Sequence, residues 1–446
     1  MQQELFQPNL YLNPKWYLFK ETDLGKLHAT LPWQQLAECL PKIDQGPGAP
    51  RWFSSEGMLA LMFLKSYLNI SDRKLIERFN TDWSLQLFCG KLLKENQKIK
   101  DKSIISRLRS YVAEHTDWQQ LQSVLIDHWK TDMDNTHVLL MDATCYESYI
   151  RFPTDVKLLW ECCQWVFEKQ LFQWCRLLSI KRPRSKYMEQ KQKQRYYDRK
   201  RRKTYKEGQR RKKSLLYLLT KGVDQLQQVL DLHPQAQLTI QQGQYLKTIK
   251  KVVEQQTFLQ GHPGKALKDR IVSLPKPYVR PIIRGKENKR VEFGMKVHML
   301  QVDGICLIDK MDFNPFNEST RLKLSVLKHK SIFGKCHQLA ADRIYASNAN
   351  RRYLTEKQIF TCFPKKGPKT YRLQDNRLRS MLATQRATVI EGSFGNHKNH
   401  YGLNKVKAKN DKNEKLWVFF AVMTANAMAM SRRATQNSPP KLPQAA

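Results

Sequence analysis

At 446 residues and 41% hydrophobic side chains, the chain is long enough for two or three domains with sizeable interiors. Its 78 Lys+Arg against 40 Asp+Glu leave a net charge of +38, which self-repels in a free globule and is neutralised by a polyanion, nucleic acid first. No run of about 18 apolar residues exists to span a bilayer, the N-terminus lacks a basic-then-apolar signal, and nine scattered cysteines suit a reducing compartment. The expectation is a cytoplasmic, nucleoid-associated protein with no membrane partner.

Residues 1–130 read as helical. "SEGMLALMFLKSYLNISDRKLIERF" (55–79) carries apolar residues at three- and four-residue spacing, interrupted from Asn69 to Asp72, and "DKSIISRLRSYVAEHTDWQQLQSVLIDHWK" (101–130) repeats the pattern with Asp101 or Ser103 as cap. Helix, turn and helix with basic residues on one face is either a DNA-reading unit or a plain bundle with solvated charges. At 137 the pattern changes, and "HVLLMDATCYES" (137–148) is short and apolar enough for a buried strand. A helix capped by Thr154 or Asp155 follows Pro153. Cys162, Cys163 and Cys175 cluster there without a fourth zinc ligand and read as small hydrophobes.

Residues 181–213 hold 17 Lys/Arg against three Asp/Glu, with Tyr187, Tyr196, Tyr197 and Tyr205 interleaved. Arg199, Arg201, Arg202, Arg210 and Arg211 are candidates for phosphate contact, which carries grip without sequence information. The bland alternative is a solvated face. Two more helices fill 214–260. Strands return in "VEFGMKVHMLQVDGICLIDKMDF" (291–313), a hairpin turned at Asp303-Gly304. Next come an amphipathic helix (318–332), a strand in "HQLAAD" (337–342), a helix capped by Ser347, a strand in "QIFTCFPK", a loop to Arg386 and a last helix opened by Glu391. Residues from about 431 are small and Pro-rich and read as a disordered tail.

Without the long insertion, a mixed α/β sheet of about five strands remains, the outline of an RNase H-like core. The implied organisation is a helical DNA-binding domain at 1–130, a core from 131–157 and 290–430, a basic helical insertion at 158–289, and the tail at 431–446. Three acids hold special places: Asp142 in the first strand, Asp342 ending the fourth, and Glu391. A carboxylate in an apolar strand is costly unless paired or bound to a cation. If the first and fourth strands are neighbours, the acids repel unless a divalent ion joins them, and hard oxygen ligands favour Mg²⁺, with Mn²⁺ able to substitute. Lys296 and His298 alternate on one face of the hairpin and are candidates to line the site; Glu318 and Asp155 are second-tier candidates, and Asp303, Asp309 and Asp312 read as turn or surface acids.

These segments resemble the DDE transposases of bacterial insertion sequences. "GMLALMFLKSYLNISDRKLIERF" and "KSIISRLRSYV" are similar to the InsH-type N-terminal domain; "MDATCYESYIRFPTD", "FGMKVHM", "ADRIYASNANRRYL" and "IEGSFGNHKNHYGL" are similar to the segments around the catalytic acids. The resemblance implies Asp142, Asp342 and Glu391 as metal-binding catalytic residues and Lys398 as a DNA contact. Arg343, Arg386 and His400 are neighbouring candidates for DNA. Related enzymes carry an arginine four residues before the glutamate and a tyrosine three before that; here Ala387 and Thr384 stand there, with Arg386 one residue off. The implied activity is cleavage at terminal inverted repeats and strand transfer, on double-stranded DNA, as a homodimer. A nucleotide cofactor is not expected, because no Gly-X4-Gly-Lys loop is present. A nuclease that stops at hydrolysis and a domesticated DNA-binding copy without cleavage are the alternatives.

Overall fold

The computed structural model describes residues 13–42, 51–283, 291–364 and 373–437. It divides into two compact units: one of residues 1–148, 295–312 and 316–446, and one of 149–294 and 313–315.

In the first unit the apolar periodicity of the N-terminal third becomes short helices. Helix Ser55–Leu68 buries every residue from Gly57 to Ser66, and ends where Asn69 turns left-handed at φ 47°. Ser71 caps the following helix, Asp72–Phe79, by accepting the amide of Lys74. The 101–130 pattern is two helices, Ile104–His115 and Trp118–Trp129, because Asp117 caps a fresh start by accepting the amide of Gln119.

The sheet of this unit contains β1 (Val138–Glu147), β3 (Val291–Val302, from Met295 on), β4 (Ile305–Asp312), β5 (Gln338–Ala340) and β6 (Phe360–Thr361). β1 lies between β3 and β5, β6 flanks β5, and β4 pairs with β3. The β3–β4 hairpin turns at Asp303 (φ 48°) and Gly304 (φ 79°), the left-handed pair that Asp-Gly tolerates. β1 and β5 run parallel, with Val138 opposite Gln338 and Leu140 opposite Ala340. Ser347 caps helix Asn348–Glu356 as its sequence indicates.

Three expectations change. The segment before Glu391 is not a loop as far as Arg386: helix Leu373–Gln385 precedes it, while 365–372 lie outside the described residues. Glu391 does not open a helix but continues one. The tail is not disordered from 431, because helix Asp411–Asn437 runs through it; 438–446 lie outside the described residues. That helix, hidden by its mixture of alanine, methionine and polar residues, buries Leu416, Val418 through Met423, Ala427 and Met430.

The helix is tied to the N-terminal helices by a charged knot. Asp72 takes both carboxylate oxygens to Nη2 of Arg109 at 2.9 Å and lies 3.0 Å from Nζ of Lys65. Both cations rest on the ring of Trp417, at 4.8 and 5.0 Å from its centroid. Gln122 joins the helices to the sheet, donating to the carbonyl of Ile308 at 3.0 Å and accepting its amide at 2.7 Å.

The second unit is the insertion. Its core gathers Leu158, Cys162, Cys163, Phe167, Leu215, Leu219, Ile249 and Ile271 from helix Asp155–Gln164 and its π-helical continuation Trp165–Leu171, from helices Tyr205–Leu232 and Ile240–Gly261, and from the segment after them. The cysteines are packed as small hydrophobes. A short strand absent from the sequence reading, β2 (Arg280–Ile283), pairs antiparallel with Val291–Gly294 at the start of β3.

Burial alone pushes the Asp72 carboxyl up, but Arg109 and Lys65 more than offset it and hold it below the usual carboxylate range. The stability it contributes is therefore complete above that usual range and is lost as pH falls through the depressed value. Asp72→Ala leaves two buried cations unpaired, and the expected loss is about 3 kcal/mol or more in urea unfolding at neutral pH, shrinking as the pH is lowered. An unchanged unfolding midpoint would show that the knot holds nothing.

Candidate active site

The pairing of β1 with β5 builds the site. Two residues beyond the Leu140–Ala340 pair, the parallel strands reach Asp142 and Asp342. Asp142 interrupts a buried run, Leu139 to Met141 before it and Thr144 to Glu147 after. One of its oxygens accepts the amide of Ala143 at 2.7 Å. Asp342 is exposed at the end of β5, where it caps a 3₁₀ turn by accepting the amide of Arg343 at 2.6 Å.

Glu391 arrives from a helical run that extends from Leu373 to Asn399. Its middle, Arg386–Ile390, is a π-turn, wound with one residue more per turn than an α-helix. Residues five apart therefore face each other, and Arg386 meets Glu391 although the family arginine precedes the glutamate by four. Nη2 of Arg386 lies 3.1 Å from Oε1 of Glu391 and 3.1 Å from Oδ2 of Asp142. Burial works against the charge on this guanidinium, but Asp142, Asp342 and Glu391 together hold it protonated more firmly than usual. Two of the acids thus share one cationic nitrogen, and the charge of the third acts on the same guanidinium.

Among the described residues no three Asp, Glu, His or Cys side chains are close enough to hold one ion as they stand. The donor chemistry nonetheless fits a hard divalent cation: Asp142 and Glu391 already share a single cationic nitrogen, and Asp342 contributes to the same field.

The C-terminal part of the run is clamped to the sheet. The hydroxyl of Tyr146 lies 2.9 Å from Nδ1 of buried His397, and Ser393 accepts from Gln301 at 2.8 Å. Burial drops the His397 pKa to about 3, so the ring is a neutral anchor and not, as its place beside Lys398 indicated, a hold on a polyanion. Among the described residues nothing approaches Gly392 or Gly395, where an added Cβ meets no atom within 4 Å. Gly402 is the demanding glycine: φ is 75°, and a Cβ would stand 2.8 Å from Oδ1 of Asn69. Lys398, seven residues after Glu391, has its ammonium 5.9 Å from the ring centroid of Tyr146, which shares the alternating face of β1 with Asp142. His400 and Arg343 are exposed.

A fourth acid stands near Asp142. Glu318 is largely buried, and burial first, then the charge of Asp142, raise its pKa against the pull of Lys296, 3.6 Å away. Lys296 also donates to the carbonyl of Phe316 at 2.9 Å, so it is committed within the protein. His298 is no DNA contact: fully buried, it lies 3.0 Å from Asp309, which also accepts from Arg321 and Ser325. Asp309 is thereby a buried network centre and not a surface acid, whereas Asp303 is a turn acid held by Arg433. Tyr345 is core, its hydroxyl pushed well up by burial and by Glu318, Asp142, Asp309 and Asp342.

In the insertion, Arg199, Arg201, Arg202 and Arg210 are exposed. Arg211 turns inward, to Gln190 at 2.7 Å and Gln194 at 3.0 Å, and leaves the set of phosphate candidates. Asp155 holds Lys212, Arg270 and Gln256 at 3.1, 2.7 and 3.0 Å, so it is an internal tie of its own unit and not part of the polar shell.

A helical N-terminal region, a mixed sheet with its first and fifth strands side by side, and acids converging from β1, the end of β5 and a late helix define an α/β architecture consistent with a DDE nuclease core. Residues 16–111 match the family described as a transposase domain (DUF772), and residues 339–427 match the transposase DDE domain, which takes in Asp342, Arg386, Glu391 and Lys398 but begins after Asp142. No curated protein and no solved structure matches the chain. The chain carries a transposase domain on either side of the insertion, and the pair supports a DNA transposase.

The π-turn predicts a tolerated deletion. Removing Ala387 converts the turn to α-helical winding, with Arg386 four residues before the glutamate and still facing it. The expected result is a folded protein that still cuts DNA, whereas removing Ala383 from the α-helical part rotates the preceding face and abolishes cutting. Equal loss in both, measured by circular dichroism and by nicking of supercoiled plasmid, would show that the π-turn does not set the arginine.

Proposed function

We propose that the protein binds the terminal inverted repeats of its own insertion sequence, cuts the DNA there, and joins the freed 3′-hydroxyls to a target by direct transesterification. It would do so as a homodimer holding both ends, in the bacterial cytoplasm at the nucleoid. The observation that carries this reading is the convergence of Asp142 and Glu391 on one cationic nitrogen, with Asp342 in the same field.

Asp142, Asp342 and Glu391 are the residues that would hold Mg²⁺ or Mn²⁺. Such an ion supplies activation of a water or 3′-hydroxyl and stabilisation of the oxygen leaving a phosphodiester. The protein's own part is placement. β1 and β5 fix two carboxylates on a rigid sheet, and the His397–Tyr146 and Ser393–Gln301 contacts fix the helix that carries the third. Lys398, on the helix face of Glu391, supplies positive charge along the backbone of the bound strand. The exposed Arg199, Arg201, Arg202 and Arg210 supply grip without sequence readout, and the N-terminal helices are the part we assign to end recognition.

Asp142→Asn, Asp342→Asn and Glu391→Gln are each expected to abolish cleavage of an end-bearing duplex while leaving gel-shift affinity within a few-fold of wild type. Wild-type-like cleavage by any one of them removes that residue from the site. Joining of a pre-cut 3′ end to plasmid distinguishes a transposase from a nuclease that stops at hydrolysis.

Neutralising Arg199, Arg201, Arg202 and Arg210 together is expected to weaken binding to all duplexes alike. The dependence of log K on log salt should become shallower by roughly 0.9 per lost phosphate contact. An unchanged slope would mean that these residues never touch DNA.

A further inference from the structure

Arg386 stands where a cation belongs. Its Nη2 is 3.1 Å from an oxygen of Asp142 and 3.1 Å from an oxygen of Glu391. A magnesium-sized ion taking those same oxygens at roughly 2.1 Å would compete with that nitrogen for them. The guanidinium cannot yield by losing its proton, because it stays charged throughout the accessible pH range.

The pose serves the carboxylates better than it serves the arginine. Nη2 is matched, while Nε is buried without a hydrogen-bond partner. A buried donor left unmatched is costly, which makes this a position the side chain can leave. Nearby Lys296 is no substitute, being held by Glu318 and the carbonyl of Phe316. The π-turn, by bringing residues five apart onto one face, is what aims the guanidinium between the two acids.

We propose that Arg386 is an exchangeable internal counter-ion of the carboxylate centre, competing with divalent metal for Asp142 and Glu391 so that the DNA-free protein holds metal weakly. This rests on the proposed reading of the three acids as metal ligands. In the metal-free protein the guanidinium offsets the mutual repulsion of the acids and keeps the site assembled. When metal takes the oxygens, the guanidinium must move out.

The test is Mn²⁺ binding to the full-length, DNA-free protein, read from the paramagnetic resonance of free Mn²⁺ and requiring no catalysis. Removing a unit charge a few ångströms from the oxygens should tighten binding by about tenfold or more in Arg386→Gln. The metal-free melting temperature of the same variant should fall, and Mn²⁺ should raise it by more than in wild type. Asp142→Asn in the Arg386→Gln background should remove the gain. If Arg386→Gln does not fold by circular dichroism, Arg386→Lys takes its place: it keeps the charge on a shorter reach, and its affinity should still exceed wild type. Equal or weaker Mn²⁺ binding in the folded variant overturns the counter-ion role alone. If neither wild type nor variant takes up Mn²⁺, the metal reading of the acids falls and the inference with it.

Discussion

Mutual repulsion among three carboxylates is the constraint on which this site depends. A sheet that sets Asp142 within β1 and Asp342 just past the end of the adjacent parallel β5, and a helix that brings Glu391 to the guanidinium held by Asp142, gather negative charge that a cation offsets. The DNA-free chain supplies its own, the guanidinium of Arg386. The neighbourhood continues the theme: Lys296 is held by Glu318, and Arg321 by Asp309. An acidic centre inside a protein of charge +38 is thus assembled by local pairing, while the excess positive charge is left to the surface.

The scaffold behind the focus comes from both ends of the chain. Helix Asp411–Asn437 carries Trp417 beneath Lys65 and Arg109, and its Asn426 exchanges hydrogen bonds with the backbone of Cys306 in β4 at 2.9 and 2.7 Å. Gln122 does the same for Ile308, two residues along the same strand. The strand farthest from β5 is therefore covered by the N-terminal helices and the C-terminal helix, which rigidifies the sheet that positions the acids. Between the matched transposase segments, the insertion builds a separate interior around Phe167 and Leu215 and sorts its basic run: Lys212 and Arg211 hold its own helices together, and Arg199, Arg201, Arg202 and Arg210 face solvent.

Composition, the strand words and the turn chemistry made much of this legible in advance. A basic chain with two apolar strand segments separated by a long helical insertion, and an Asp-Gly hairpin, already contained most of the sheet and its interruption. Those features are local. A short buried apolar run, a left-handed turn and a helix cap each depend on a few consecutive residues, and they formed where the residues called for them. The C-terminal helix was not legible because alanine, methionine and asparagine carry no marked polar face until two other elements pack on them. Glu391 reads as a helix start because a carboxylate is favoured at a helix N-terminus, yet it lies inside one continuous run.

From its sequence alone, this protein had its alternation of helical region, strand and long helical insertion and its net charge of +38 determined, since these follow from residue type and near-neighbour spacing. Tertiary structure decided which cations and imidazoles serve the site. His298 and His397 disappeared into the core, Arg211 and Asp155 into the insertion, and Arg386 moved into the centre. The reason is that partner choice depends on burial and on distances across the fold, and a single extra residue wound into a π-turn is enough to redirect a guanidinium onto two acids that linear spacing had set apart from it.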